Sequence, residues 1–140
     1  MFRTTIVKAL CCLTLPLAAA ACGDDEIDLP TTPTVPTVTE NYTGSVNRNG
    51  AATHSFFTTV AGEVTATLTN LTPDGLTIGM LLGTWNGAIC AVQLPNDKAV
   101  KTSVIIGTAS TAASLCVRIY DVGNITDAEP ATYEITVVHR

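Results

Sequence analysis

Basic side chains are scarce in this sequence, and they are not clustered. The chain has 7 Lys and Arg against 12 Asp and Glu, which gives a formal net charge of −5. From residue 41 to the C-terminus there are five basic and seven acidic side chains, a net charge of −2. Proteins that bind nucleic acids neutralise phosphates with clustered Lys and Arg. The composition therefore argues against nucleic acid as a partner.

The sequence also lacks an apolar run long enough to cross a bilayer. The longest run, residues 9–21, has about 13 residues. As a helix rising ~1.5 Å per residue it would cover only about 20 Å of a hydrocarbon layer ~30 Å thick, and Pro16 would interrupt the helix. Arg3 and Lys8 precede the run, and small residues end it. This arrangement predicts a cleaved signal peptide over residues 1–21.

The end of this run carries a further signal, because residues 17–22 read LAAAAC. They resemble the lipobox of bacterial lipoproteins, in which small residues precede an obligatory cysteine. The resemblance implies cleavage before Cys22 and acylation there, for example with palmitate, and hence membrane attachment in the cell envelope. In a Gram-negative host, Asp after the lipidated cysteine commonly retains lipoproteins in the inner membrane. Gly23 stands at that position here, so we expect the outer membrane. The same bond would be cut in a secreted or periplasmic protein, which is the alternative.

Residues 22–40 have the composition of a disordered stalk. Residues 23–40 contain five acids, no base, three prolines and five threonines. Such a segment cannot bury enough apolar surface to fold. The prolines favour an extended conformation that rises ~3.1 Å per residue, so residues 30–40 would span about 30 Å. We expect residues 1–40 to contribute nothing to the fold of the domain that follows.

Cysteine is used sparingly, and its number supports the lipid anchor. The sequence has five cysteines, and cleavage removes Cys11 and Cys12. If Cys22 carries the lipid, Cys90 and Cys116 remain as a pair. An oxidising compartment favours a disulfide between them, which we expect to lie inside the sandwich that residues 41–140 should form. A redox or metal role is the alternative, but the sequence separation is far from that of a C-x-x-C motif.

Residues 41–140 show an apolar period of two and no convincing helical stripe, which predicts strands. Segments such as EVTATLTNL, SLCVRIY and ATYEITVVH alternate apolar and polar residues, and turn signals such as Asn49-Gly50 and Asn86-Gly87 separate them. We expect loops at Pro95-Asn96-Asp97 and Gly123-Asn124. The pattern predicts an all-β, antiparallel two-sheet sandwich. The expected strands are 41–47, 52–60, 63–71, 76–84, 87–94, 100–108, 114–120 and 131–138.

The same region resembles the bacterial pre-peptidase C-terminal (PPC) domain over about residues 41–139. The resemblance lies in an opening glycine turn, an aromatic-rich strand, a TATL strand, a V-R-I-Y strand and a final Y-x-I-T-V strand. Here these are Gly44, Phe56–Phe57, Thr65–Leu68, Val117–Tyr120 and Tyr133–Val137. The resemblance implies a jelly-roll-like β-sandwich without catalytic activity, of a kind often appended to secreted peptidases. No peptidase domain accompanies it in this sequence, and Cys90 and Cys116 are not part of the family's general pattern.

Histidine is also rare, which limits the chemistry that the domain could perform. The two histidines are His54 and His139. A small hydrolase would need Ser, His and an acid brought together, and Ser55 and Asp121 are the candidates. Successive strand residues point to opposite faces, so His54 and Ser55 should not pair. We expect no enzyme activity and no zinc site.

Two features suggest a binding module as the alternative function. Asp121, Asn124 and Asp127 place oxygen ligands in one loop, where they could hold Ca²⁺, although these residue types also form turns. Trp85 beside the Asn86-Gly87 turn could stack on a sugar ring or fill the rim of the core. We expect a turn for the first and a structural role for the second, and no cofactor.

The leading functional hypothesis is a non-catalytic, lipid-anchored domain of the cell envelope. Such a domain would bind or stabilise another envelope macromolecule, either a protein or a glycan. A carbohydrate- or calcium-dependent binding module is the alternative, and a small hydrolase is a remote one. The hypotheses differ in loop chemistry, since a ligand-binding module should depend on Trp85 or Asp121.

Overall fold

The computed structural model describes residues 34–140, which form eight β-strands and no α-helix. All eight strands predicted from the alternation are present. No helix in this described part of the chain is long and apolar enough to cross a membrane. The strands are β1 Val38–Val46, β2 Ala51–Thr58, β3 Gly62–Thr72, β4 Ile78–Trp85, β5 Cys90–Ala99, β6 Val104–Ala109, β7 Ala113–Tyr120 and β8 Ala131–His139.

The strands form two four-stranded sheets, and every pairing between them is antiparallel. Sheet I has the order β1-β8-β3-β6, and sheet II has the order β2-β7-β4-β5. All chain connections except the β4–β5 hairpin pass from one sheet to the other. This is the strand order of an eight-stranded jelly roll, so the predicted all-β, jelly-roll-like sandwich is confirmed.

The hydrophobic core lies between the sheets and follows from the period of two. In β3 the alternate residues Val64, Ala66 and Leu68 are buried, and in β7 Val117 and Ile119 are buried. Because adjacent strand residues point to opposite faces, one register brings all of these side chains to the inner face. Burying each large aliphatic side chain stabilises the fold by about 1.5–3 kcal/mol. The wrong register would expose the whole set.

Strand β5 differs from its predicted form, since it runs through the expected loop at residues 95–97 and ends at Ala99. A proline cannot donate a hydrogen bond to a neighbouring strand, which is why Pro95 suggested a loop. β5 is an edge strand with β4 as its only neighbour, and prolines are tolerated at edges. The register of the β4–β5 pair also shifts between Ile78 and Met80 and between Leu82 and Gly83. The turn to β6 lies at residues 100–103, where Thr102 has a φ of 76°.

Strand β1 begins three residues before the predicted start of the domain at residue 41. Val38–Glu40 pairs with residues 137–139 of β8. The polar composition of this segment suggested that it adds nothing to the fold. A strand, however, needs only a neighbour with free backbone groups, and the edge of β8 supplies one. The expectation that residues 1–40 lie outside the fold is therefore wrong for residues 38–40.

The predicted disulfide between Cys90 and Cys116 is present, with a Cα–Cα distance of 5.8 Å. It does not lie between the sheets as expected. Cys116 alternates with the core residues Leu115 and Val117, so its side chain points to the outer face of sheet II. There the disulfide and Leu81 form a small second cluster, separate from the main core.

Candidate functional site

The loop between β7 and β8 is organised by the carboxylate of Asp121. Its Oδ1 accepts hydrogen bonds from the backbone N–H groups of Gly123, Asn124 and Ile125, at 2.8, 2.9 and 3.1 Å. Its Oδ2 accepts one from the backbone N–H of Asn49 in the β1–β2 turn, at 2.8 Å. The Asn49 N–H, followed by those of the loop, holds the pKa of Asp121 below its ordinary value. Asp121 thus ties two loops together.

The other two calcium candidates are engaged elsewhere in the same loop region. The side-chain amide of Asn124 donates to the carbonyl of Thr77 at 3.0 Å. Asp127 pairs with Arg48 at 3.1 Å on the exposed surface. Among residues 34–140 no three His, Cys, Asp or Glu side chains form a group that could hold a metal ion. The geometry fits loop-organising roles for Asp121, Asn124 and Asp127.

Trp85 ends β4 and packs against the disulfide cluster on the outer face of sheet II. Trp85 and Tyr120 are partly buried, and both contact the cluster formed by Leu81, Cys90 and Cys116. The hydroxyl of Tyr120 donates a hydrogen bond to Asp97 of β5. Burial and the Asp97 carboxylate raise the pKa of Tyr120 to about 12. Trp85 therefore covers a disulfide and does not fill the rim of the main core.

Beside this cluster lies a cleft of about 550 Å³, which we name the Arg118 cleft. Arg118 projects from β7 to the outer face of sheet II, opposite Thr53 of β2 and Leu81 of β4. Sequence reasoning did not single out this arginine. Its position in the V-R-I-Y strand, between the core residues Val117 and Ile119, was the available signal. The cleft is lined by Asn49, Gly50, Ala51, Leu81, Val92, Pro95, Arg118, Tyr120 and Asp121.

A second opening lies between the sheets where the edge strands β5 and β6 face each other, and we name it the edge groove. Its volume is about 430 Å³. Leu94 of β5 and Leu82 of β4 reach towards Gly107 of β6, where an added Cβ would lie 3.0 and 2.9 Å from their methyl carbons. The groove is lined by Val64, Leu82, Gly83, Thr84, Gln93, Leu94, Gly107, Thr108 and Leu115.

His54 points between the sheets and forms no nucleophile–base pair with Ser55. Its Nε2 lies 2.7 Å from the hydroxyl of Tyr133, and its ring stacks on Tyr42 at 4.7 Å. Burial lowers the pKa of His54. Ser55 faces the outer side of sheet II, in register with Cys116, and Asp121 is held by backbone N–H groups in the distant loop. The three hydrolase candidates are therefore not brought together.

His139 belongs to a buried polar contact that sequence reasoning missed. The side chain is 2% exposed, and its Nε2 lies 2.9 Å from Oε1 of Glu40. Tyr42 donates a hydrogen bond to the same carboxylate. Burial opposes ionisation of Glu40, but the hydrogen bonds from Tyr42 and His139 prevail and lower its pKa. The contact joins the first strand to the last.

Comparison with known proteins assigns no family or function to this chain. No protein-family model matches the chain, and no curated protein matches it significantly. The resemblances to PPC domains and to bacterial lipoproteins therefore stay predictions. The predicted signal peptide and Cys22 lie outside the described residues, so the structure does not bear on cleavage or acylation.

Proposed function

We propose that this protein is a non-catalytic, lipid-anchored domain of the bacterial cell envelope that binds another envelope macromolecule. The observation that carries the proposal is the exposure of large apolar side chains on the two neighbouring edge strands. Val92 of β5 is 55% exposed, and Val104 and Ile106 of β6 are 47% and 60% exposed. Exposed apolar surface and free strand edges are typical of interaction sites. Val92 lies on the outer face of sheet II, and Val104 and Ile106 lie on the outer face of sheet I. A partner that contacts both sets would therefore cover the β5–β6 edge of the sandwich.

The export and anchoring part of the proposal has three supports. Residues 17–22 resemble a lipobox, and residues 22–40 have the composition of a spacer. The Cys90–Cys116 disulfide fits an exported protein, because disulfides persist in oxidising compartments such as the bacterial periplasm. One acyl chain anchors only marginally, so a stable anchor needs a second chain or a second signal. We place the protein at the outer membrane, with Gly23 after the lipidated cysteine.

The resemblance to PPC domains supports a binding role without catalysis. The environments of the other candidate residues favour this role over the alternatives. Trp85 covers the disulfide, and Asp121 is engaged by four backbone N–H groups. These contacts give both residues structural roles in the fold.

Fractionation of cells that express the Cys22→Ala variant tests the anchor. We expect wild-type protein in the outer-membrane fraction, with incorporation of labelled palmitate. The variant should move to the soluble fraction and take up no label, since it lacks the acylated thiol. Identical fractionation and labelling of the two proteins would contradict the lipid anchor.

Site-specific crosslinking in intact cells tests the binding role. A photoreactive phenylalanine at Ile106 or at Val92 samples the β5–β6 side, and one at the exposed Thr43 of β1 is the matched control on the opposite side. We expect adducts of one defined mass from Ile106 or Val92 and none from Thr43. The adducts should be lost in the Cys22→Ala background. Equal yields from all three positions would contradict a specific partner on this side.

A further inference from the structure

Arg118 is a cation without a partner in the middle of a sheet. Within residues 34–140 it forms no ion pair, and its Nε is a buried polar atom with no hydrogen bond. Its terminal nitrogens are not among the buried unpaired atoms, so they reach the cleft that this side chain lines. By contrast, Arg48 on the nearby turn pairs with Asp127. A buried polar group without a partner costs free energy, so a bound ion, water or ligand is needed to explain it.

The acids nearest to Arg118 are already committed to other groups. Asp121 lines the cleft, but its two oxygens accept four backbone N–H groups. Asp97 accepts the hydroxyl hydrogen of Tyr120. Neither carboxylate is within ion-pair distance of the guanidinium. The charge of Arg118 is therefore available to a ligand.

The same two acids limit the charge that the ligand can carry. A phosphate dianion is usually held by several cations, whereas this cleft has one arginine next to Asp121 and Asp97. A single carboxylate carries one negative charge, and its two oxygens match the planar fork of a guanidinium. The electrostatics of the cleft therefore favour a monoanionic carboxylate over a phosphate.

The walls of the cleft define what should surround that carboxylate. Leu81, Val92 and Pro95 provide apolar surface on one side of Arg118, and the volume of about 550 Å³ suits a small ligand group. The hydroxyls of an acidic sugar would need several polar partners. Here the backbone N–H of Asn49 is bonded to Asp121, and the Tyr120 hydroxyl donates to Asp97. An apolar side chain next to the carboxylate fits this surface better.

From this geometry we infer that the Arg118 cleft binds the free C-terminal carboxylate of a peptide whose last residue is apolar. The guanidinium would hold the carboxylate through its terminal nitrogens, and the terminal side chain would lie against Leu81, Val92 and Pro95. This inference rests on the proposed function, because it specifies the chemistry of the envelope partner as that of a protein and not of a glycan.

The test uses the purified full-length protein in a non-ionic detergent and a fluorescent peptide that ends in Ala-Leu-Val. We measure binding by anisotropy for the peptide with a free carboxylate and for the same peptide with a C-terminal amide. We expect the amide to bind at least tenfold more weakly. Equal affinities for the two peptides, or no binding of the acid at millimolar concentration, would overturn the inference. Tighter binding of an oligogalacturonate than of the peptide would overturn it as well.

Matched variants assign the effect to this cleft. We expect Arg118→Gln to lose at least tenfold in affinity for the acid peptide and Arg118→Lys to lose nearly as much, since an ammonium group lacks the bidentate fork. Arg48→Gln changes the net charge equally on a nearby turn and should bind as the wild type does. Val92→Glu alters an exposed wall residue, so it should fold normally and still weaken binding by placing a carboxylate in the cleft. A loss in Arg48→Gln equal to that in Arg118→Gln would reduce the effect to net charge and overturn the assignment.

The outcomes also separate this inference from the proposed function. If crosslinking from Ile106 persists in cells while the peptide fails to bind in solution, the inference is wrong and the envelope partner remains. If the peptide binds but no crosslinks form in cells, the cleft is confirmed as a carboxylate site. The proposed β5–β6 partner is then contradicted.

Discussion

Several titratable side chains lie close together where β1 and β8 face β2. Both histidines of the described chain lie there, His54 against Tyr133 and His139 against Glu40. Burial lowers the pKa of His54 and raises the pKa of Tyr133. Since the neutral form of His54 and the ionised form of Glu40 are favoured by folding, the native state binds fewer protons than the unfolded chain at acidic pH.

The sign of these two shifts predicts that acid weakens the fold in two steps. His54 contributes stability fully above its ordinary pKa of 6.5, and this contribution is lost as the pH falls through its lower native value. Glu40 contributes fully above 4.5, and its share is lost as the pH falls further. Urea unfolding between about pH 2 and pH 8 covers both steps. The variant His54→Gln should lack the step that begins near pH 6.5 and keep the more acidic one. A His54→Gln profile parallel to that of the wild type would contradict the assignment.

Sheet II is crosslinked by a disulfide, which the alternation of its strand residues does not predict. The disulfide joins β5 to β7, although β4 lies between them in the sheet. The start of β5 therefore bends across the outer face of β4 at Gly83. A Cβ added to Gly83 would overlap the carbonyl oxygen of Ala91. The sulfur of Cys90 would lie 3.2 Å from that Cβ. A crossing this close requires a glycine in the middle strand.

Removing the disulfide, which links the edge strand β5 to β7, should destabilise the domain. The closed loop has a sequence separation of 26, for which chain-entropy arguments give about 3 kcal/mol. We expect the double variant Cys90→Ala, Cys116→Ala to unfold at a clearly lower urea concentration. Dithiothreitol should lower the midpoint of the wild type to a similar extent and leave that of the double variant unchanged. If the double variant unfolds at the wild-type midpoint, the covalent link contributes nothing and this prediction is wrong.

The close packing of Gly83 against β5 leads to a separate prediction. Gly83→Ala should cost about 1–3 kcal/mol in the free energy of unfolding, because the new methyl group meets backbone that cannot move freely. Gly62→Ala in β3 is the matched control, since its Cβ would lie 3.4 Å from the flexible side chain of Arg140. Thermal unfolding of the two variants gives the comparison. Equal melting temperatures for the two variants would show that β5 can retreat from β4 without cost.

For the whole molecule, the alternation of apolar and polar residues was enough to predict two sheets of β-strands. It did not predict the long-range side-chain contacts between strands. Eight strands in two antiparallel sheets follow from short alternating segments, because each sheet must bury one face. The jelly-roll form was implied by the resemblance to PPC domains. The contact between Glu40 and His139 joins residues that are 99 positions apart, and no local pattern relates them. The Arg118 cleft likewise draws on β4, β5, β7 and a turn, and it exists only once the register is set. The cysteine count predicted the disulfide, but its expected position between the sheets was wrong, because Cys116 alternates with the core residues Leu115 and Val117 and so faces outward.

The pairing of β1 with β8 and the Glu40–His139 contact predict that the fold begins before residue 41. A chain that starts at residue 34 keeps the whole of β1, whereas one that starts at residue 41 loses Val38–Glu40 and leaves His139, which is 2% exposed, without its carboxylate partner. An unpaired buried polar group costs about 1–3 kcal/mol, and for a domain of this size each kcal/mol lowers the melting temperature by ~4–8 °C. We therefore expect the shorter chain to melt several degrees below the longer one. Glu40→Gln in the longer chain keeps the strand and removes the charge, so it should fall between the two. Calorimetry at pH 7 gives the ranking, and equal melting temperatures for all three would place the start of the domain at residue 41 after all.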